Sequence, residues 1–134
     1  MTATVQYVSD LRTTCIHLQS GSAIETDAPT DNKGKGERFS PTDLIATGLG
    51  ACMITTMGIK AQTMDIILDG AKVEVTKVML SEPRRIGKII AHVTLPAIGL
   101  DEKTKTILEL VGNSCPVVKS LHPDLELDIT YSWL

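Results

Sequence analysis

Ser40-Pro41-Thr42-Asp43-Leu44-Ile45-Ala46-Thr47-Gly48-Leu49-Gly50-Ala51-Cys52 is the stretch that decides the architecture. Ser40 suits a helix N-cap, Pro41 is favoured at the first helical position, and Asp43 completes an S-x-x-D capping box. The apolar pattern continues beyond Cys52, so the spacing predicts a helix from Pro41 to about Gln62, roughly 30 Å long at 1.5 Å per residue. Its apolar residues cover most of the circumference, the pattern of a helix buried on nearly all sides. Gly48, Gly50 and Gly58 each cost about 1 kcal/mol relative to Ala in a helix interior. Such positions usually let another backbone come close. The helix is therefore expected at the centre of the fold, against a sheet and a second helix, with the Cys52 thiol in its middle.

Strands flank this helix on both sides. Residues 3–9 and 11–19 alternate partially, and in the second run Arg12, Thr14, Ile16 and Leu18 share a face opposite Thr13, Cys15 and His17. The Arg12 face is a candidate to point inward. Gly21 marks a turn before a short third strand at 22–26, and residues 27–39 read as a polar loop rich in Gly, Pro, Asp and Lys. Beyond the helix, 71–80 and 86–95 form a probable hairpin around Glu82-Pro83-Arg84-Arg85. An amphipathic helix follows at 101–111, and a shorter one starts at Cys115-Pro116 and stops near His122-Pro123. The last strand alternates cleanly, with Leu125, Leu127, Ile129, Tyr131 and Trp133 on one face. The order β-β-β-α-β-β-α-α-β, with hairpins rather than repeated βαβ units, indicates an α+β fold. A length of 134 residues indicates one domain, 1–134.

Composition narrows the function classes. A net charge of −3 without a Lys/Arg-dense stripe argues against nucleic acid as the main partner. The start, Met1-Thr2-Ala3-Thr4-Val5-Gln6-Tyr7, lacks a basic region followed by an apolar run, so no secretory leader is expected. The apolar-rich run 44–59 is interrupted by Thr and Gly and reads as too short and polar for a membrane span. Three cysteines without closely spaced pairs fit a reducing cytoplasm better than a disulfide framework.

Two cysteines stand in unusual settings. Cys52 lies mid-helix, where the helix dipole gives little help, so a cationic neighbour would have to lower its pKa. The plain alternative is a core cysteine. Cys115 precedes Pro116 at the start of a helix, where unpaired backbone N–H groups favour a thiolate. By local physics alone, Cys115 is the better thiolate. Cys15 reads as incidental, and His17, His92 and His122 have no ligand spacing. Gly34-Lys35-Gly36-Glu37-Arg38 lacks the phosphate-cradle arrangement and reads as a mobile loop. Met53 and Met57 read as core residues.

Taken together, Ser40-Pro41-Thr42-Asp43-Leu44 with Gly50-Ala51-Cys52 on one helix, Cys115-Pro116-Val117 some sixty residues later, and the Leu125-Glu126-Leu127-Asp128-Ile129 strand resemble the OsmC/Ohr family. The resemblance implies an OsmC-like fold, an intertwined homodimer with antiparallel sheets wrapped around long cysteine-bearing central helices. It implies a cysteine-based peroxidase acting on organic hydroperoxides or hydrogen peroxide, with Cys52 attacking and Cys115 resolving through a disulfide. The reductant would be an external dithiol, possibly lipoyl-type, with no resident cofactor or metal. The family also places an activating Arg in the N-terminal region, which makes Arg12 the candidate cation and Arg38 its rival.

One departure stands out. Where the hydroperoxide branch has a glutamate after the helix-opening proline, this chain has Thr42, which cannot hold an arginine. Asp43 lies about 180° from Cys52 around the helix, and only Glu37 in the loop is left to compensate. The departure favours an alternative: an OsmC-like redox sensor or small-ligand-binding protein with little catalysis.

Overall fold

The computed structural model describes all residues from Met1 to Leu134. The chain divides into two compact units, Met1–Ile45 and Ala46–Leu134, each described by itself.

The first unit is an antiparallel three-stranded sheet, β1 (Ala3–Ser9), β2 (Arg12–His17) and β3 (Ala23–Asp27), in that spatial order. Asp10 and Leu11, both with positive φ (51° and 63°), form the tight turn between β1 and β2, the backbone that matches strand twist in short hairpins. In register, Arg12 sits opposite Asp27, and Thr13 opposite Thr26. The Arg12 face is not an apolar interior, since Ile16 and Leu18 on it are about two-fifths exposed (40% and 44%). All seven residues of β1 are exposed.

The segment after β3 is more ordered than the polar sequence suggests. A 3-10 turn at Thr30–Asn32 is followed by bonds from Gly34 N–H to the Pro29 carbonyl (2.9 Å) and from Gly36 N–H to that of Ala28 (3.3 Å). A Cβ on Gly34 would lie 1.7 Å from the Ala28 carbonyl oxygen. The expected mobile loop is thus a folded one, closed by backbone hydrogen bonds that need glycine. Asp27, counted with that loop in the sequence, ends β3 and is buried.

Ser40 and Asp43 then open α1 (Pro41–Thr63) with the reciprocal capping pattern. Asp43 N–H donates to Ser40 Oγ (3.0 Å), and Ser40 N–H donates to Asp43 Oδ2 (2.9 Å).

The second unit holds the core. Its sheet is β4 (Lys72–Leu80), β5 (Arg85–Leu95) and β6 (Glu126–Trp133), with β5 central. β4 and β5 pair antiparallel as the expected hairpin, but β5 and β6 pair in parallel. The expectation of purely antiparallel sheets is corrected here. The crossover through α2 (Glu102–Gly112) and α3 (Pro116–Ser120) returns the chain to the end where β5 began, so β6 must run alongside it. Ile89, Ala91, Val93 and Leu95 of β5 are fully or almost fully buried with Leu49, Met53 and Met57 of α1, Leu108 of α2, and Cys115. At Gly50 a Cβ would meet the Val75 and Val73 methyls at 3.1 and 3.2 Å, so this glycine lets the helix settle on β4.

The buried positions of α1 are Ala46, Leu49, Gly50, Met53, Met57 and Ala61, a single stripe at three- and four-residue spacing. Burial on nearly all sides is not what one chain provides: Ile45 and Ile59 remain exposed, and a Cβ at Gly48 or Gly58 would meet nothing within 4 Å. By length and mean hydropathy (1.4 over its most apolar window) the helix is also long and apolar enough to cross a membrane, more than the interrupted run 44–59 indicated. The fold spends that hydropathy on the sheet beneath it.

Candidate thiol site

Cys52, Cys115, Thr56 and the first turn of α3 come together on the core side of the second unit. All three cysteines are free thiols; Cys52 is partly buried and Cys115 fully buried. The fold brings the two distant cysteines close enough that hydrogen bonding with Cys115 lowers the pKa of Cys52. The backbone N–H of Val117 acts on the same thiol in the same direction. Thr56, one helical turn beyond Cys52, places its Oγ1 3.9 Å from the sulfur and donates its proton to the Cys52 carbonyl at 2.7 Å. While that proton is committed, the Thr56 oxygen can only accept from a Cys52 thiol. Once the sulfur is ionised, the hydroxyl is free to turn and donate to it.

These donors decide the electrostatics. Burial alone pushes the Cys52 thiol up, but the bonds from Val117, Cys115 and Thr56 together hold it below its ordinary value. Cys115 goes the other way. Burial pushes it up, and the Cys52 sulfur beside it, accepting its proton and carrying charge, adds to the rise. The N–H groups of Val118 and Val117 oppose this and do not prevail. Cys115 is the N-cap residue of α3, yet its side chain closes no cap hydrogen bond. The sequence reading that made Cys115 the better thiolate is therefore corrected. The helix start is where expected, but it serves the neighbour's sulfur while Cys115 itself is buried as a donor.

Tyr131 lies on the same side of β6. Its hydroxyl donates toward Asn113 Oδ1 (2.8 Å) and the Glu109 carbonyl (3.2 Å). Burial first, then the charges of Glu109 and Cys115, push it up to about 12. Gly112 keeps this corner open, since a Cβ there would stand 2.7 Å from the Tyr131 oxygen and 3.0 Å from the Met57 sulfur. Nothing in the sequence pattern singled out Thr56 or Tyr131. Only the one-turn spacing of Thr56 from Cys52 was available as a signal.

The candidate cations belong to the first unit. Arg12 Nε and Nη2 donate to the two carboxylate oxygens of Asp27 at 2.7 and 2.8 Å, a bidentate pair across the β2–β3 register. Glu37 Oε1 stands 3.6 Å from Nη2, so the loop glutamate does reach the arginine, but loosely. Hydrogen bonding to Arg12 holds the Asp27 carboxyl below its usual range, and the same bond raises the Arg12 guanidinium. Arg38 is more exposed; it bonds Glu25 at 3.4 Å and the Glu37 carbonyl at 3.0 Å. Asp27 is the partner that sequence reasoning missed. Its place opposite Arg12 depends on strand register, which side-chain spacing along one strand does not reveal. Cys15 lies 3.8 Å from Thr13 Oγ1 in this sheet.

Comparison with known proteins resolves the ancestry. The family model described as OsmC-like protein matches residues 34–130, about three quarters of the chain. This chain belongs to the OsmC-like family. A crystal structure of a Psychrobacter arcticus 273-4 protein, named for osmotic stress induction and a detoxification response, superposes with a TM-score of 0.94 at 49% identity, covering 98% of this chain and 96% of that one. An organic hydroperoxide resistance protein OsmC from Legionella pneumophila superposes with a TM-score of 0.77 at 15% identity, over 98% and 97% of the two chains. The organic hydroperoxide resistance protein OhrB of Bacillus subtilis gives 0.65 at 17%, over 100% and 98%. The last two likenesses speak to the fold alone. No curated protein shows significant sequence similarity to the chain.

Proposed function

We propose that this OsmC-like protein is a thiol-dependent peroxidase that reduces organic hydroperoxides or hydrogen peroxide, with Cys52 as attacking sulfur and Cys115 as resolving sulfur. The observation that carries the reading is that the fold brings Cys52 and Cys115 close enough to interact, with the Cys52 pKa lowered by Val117, Cys115 and Thr56 and the Cys115 pKa raised. A thiolate is the nucleophilic form of cysteine, and Cys52 is the thiol here that is favoured as one. Arg12 is the cation proposed to favour it further, as the family resemblance implies.

The steps balance without a resident cofactor. The Cys52 thiolate attacks one peroxide oxygen, so that an S–O bond forms as the O–O bond breaks. Sulfur gives up two electrons and becomes a sulfenic acid, while the alkoxide or hydroxide leaves with a proton as alcohol or water. Cys115, close by and still protonated, displaces the sulfenic hydroxyl. Its proton departs with that group as water, and a disulfide remains. A dithiol, in this reading of lipoyl type, returns two electrons by exchange and leaves as its own cyclic disulfide. Burial of Cys115 suits a resolving thiol, since it keeps peroxide from the second sulfur.

The same reading takes residues 1–134 as one OsmC-like domain, supported by a solved relative matched over 98% of the chain. It takes the working form as an intertwined homodimer in the cytoplasm. Val5, Tyr7, Ile16 and Ile24 on the first sheet, and Ile45 and Ile59 on α1, are apolar surface that a second chain would cover.

The test is peroxide consumption by the purified protein with a dithiol, using an alkyl hydroperoxide and hydrogen peroxide in turn. Sustained turnover that disappears in Cys52→Ser supports the enzyme. No consumption of either peroxide removes it. A Cys52–Cys115 disulfide that forms stoichiometrically without turnover assigns a redox sensor instead.

A further inference from the structure

We propose that Thr56 is a catalytic residue of the thiol site, a hydroxyl whose proton rests on the Cys52 carbonyl while Cys52 is a thiol and turns to the sulfur when Cys52 ionises. The inference rests on the peroxidase reading for its use in turnover, and on the geometry of α1 for its substance. A helical serine or threonine commonly turns its hydroxyl back to the carbonyl four residues earlier. Thr106 and Ser120 do so in this chain, at 2.9 and 2.8 Å. Thr56 makes the same bond to the Cys52 carbonyl at 2.7 Å. What sets it apart is the residue it turns back to. The rotamer that reaches the carbonyl also holds Oγ1 3.9 Å from the Cys52 sulfur.

The arrangement works as a donor with two positions. A hydroxyl has one proton and two lone pairs, so Oγ1 can accept from the thiol while its own proton is on the carbonyl. Ionisation removes the S–H, and rotation about the Cβ–Oγ1 bond re-aims that one proton at the sulfur without moving the oxygen. The carbonyl it leaves keeps a partner, because inside α1 the regular helix also brings it the Thr56 N–H. A second neutral bond on a satisfied carbonyl is thus exchanged for a charge-assisted bond to the thiolate, which is shorter and about twice as strong. The titratable groups that face this sulfur across the packing are Cys115 ahead of α3 and, beyond it, Tyr131 of β6 with Glu109 of α2. None of them brings a positive charge. Within residues 46–134 the new charge therefore depends on neutral donors, and Thr56 is the one that the helix itself holds beside the cysteine.

Two readouts test the assignment: the pH midpoint of Cys52 alkylation, resolved by mass spectrometry, and the pH profile of kcat/KM for an alkyl hydroperoxide with a dithiol. Thr56→Val removes the hydroxyl and keeps the β-branched shape. It is expected to move the alkylation midpoint upward and to lower kcat/KM about threefold at pH below that midpoint. One charge-assisted hydrogen bond is worth roughly tenfold in thiolate, and a more basic sulfur attacks faster, which offsets part of the loss. At pH where both proteins are fully ionised the loss is expected to vanish, whereas a merely structural role would lower the rate at every pH. Thr56→Ser, which keeps the hydroxyl, is expected to return both readouts toward wild type. Thr106→Val, which removes the same kind of back-bond from α2, is expected to change neither. An unchanged midpoint in Thr56→Val overturns the proposal, as does a rate loss of equal size across the pH range, a Thr56→Ser that behaves like Thr56→Val, or an equal shift in Thr106→Val. If Thr56→Val does not fold by circular dichroism, Thr56→Ala, which also lacks the hydroxyl, is read in its place with the same expectations. If the wild type consumes no peroxide, the peroxidase reading fails on its own. The alkylation midpoint then still decides for or against Thr56.

Discussion

Residues 46–134 and residues 1–45 handle their apolar side chains in opposite ways. In the larger unit, Ile89, Ala91 and Val93 are shut away under Leu49, Met53 and Met57, with Cys115 inside that cluster and Cys52 packed against it. In the smaller one, Val5 is 67% exposed and Tyr7 62% exposed. What is buried there is polar: Asp27, Thr26 and Ser40. The difference teaches that the thiol contact is set by core packing inside one unit, whereas the arginine is set by a hydrogen-bonded ladder whose apolar surface has yet to be covered.

The largest effect expected separates the roles of the two sulfurs. Cys115→Ser should still consume about one equivalent of peroxide and then stop or slow sharply, leaving a Cys52 sulfenic acid that a dimedone-type reagent traps. Sustained turnover at the wild-type rate would remove Cys115 from the mechanism.

The next prediction concerns pH. Cys52 has a lowered folded-state pKa, so it binds its proton less tightly than in the unfolded chain. Its contribution to stability is present above the unfolded value and is lost as pH falls through the folded one. Cys115, with a raised value, contributes below its unfolded pKa and loses that contribution as pH rises through the folded one. Between the two, Cys52 is ionised and Cys115 is not. Site-resolved alkylation should therefore label Cys52 at lower pH than Cys115; the reverse order would return the attacking role to Cys115.

Packing supplies the third. Met53→Ala, in the closed core, should cost about 2–5 kcal/mol in denaturant unfolding. Val5→Ala should cost less than about 0.5 kcal/mol if the sheet stays uncovered. A larger cost for Val5→Ala that grows with protein concentration would show the first sheet to be covered by a second copy. The smallest effect is local: Ser40→Ala removes one half of the capping box and should cost about 1 kcal/mol, read as a lowered urea midpoint with an unchanged slope.

Much of this was legible beforehand. The capping box, the hairpin from Lys72 to Leu95 and the alternating last strand are all near-neighbour patterns, and each formed within a residue or two of its expected place. The resemblance carried by the two cysteine motifs matched the fold. The failures share a cause. Periodicity around α1 counted apolar residues without knowing how many neighbours one chain could supply, so Ile45 and Ile59 were expected inside. The start of α3 was located correctly, but local reasoning assigned its N–H groups to the nearest sulfur.

The amino-acid order alone determined where helices begin and which thiols sit in special settings, because caps, turns and side-chain periods are settled between residues three or four apart. Only the folded chain decided that the Val117 N–H serves Cys52, that β6 runs parallel to β5, and that Asp27 holds Arg12. Those outcomes depend on which groups a register or a packed core brings to hydrogen-bond distance, and chain spacing carries no record of that.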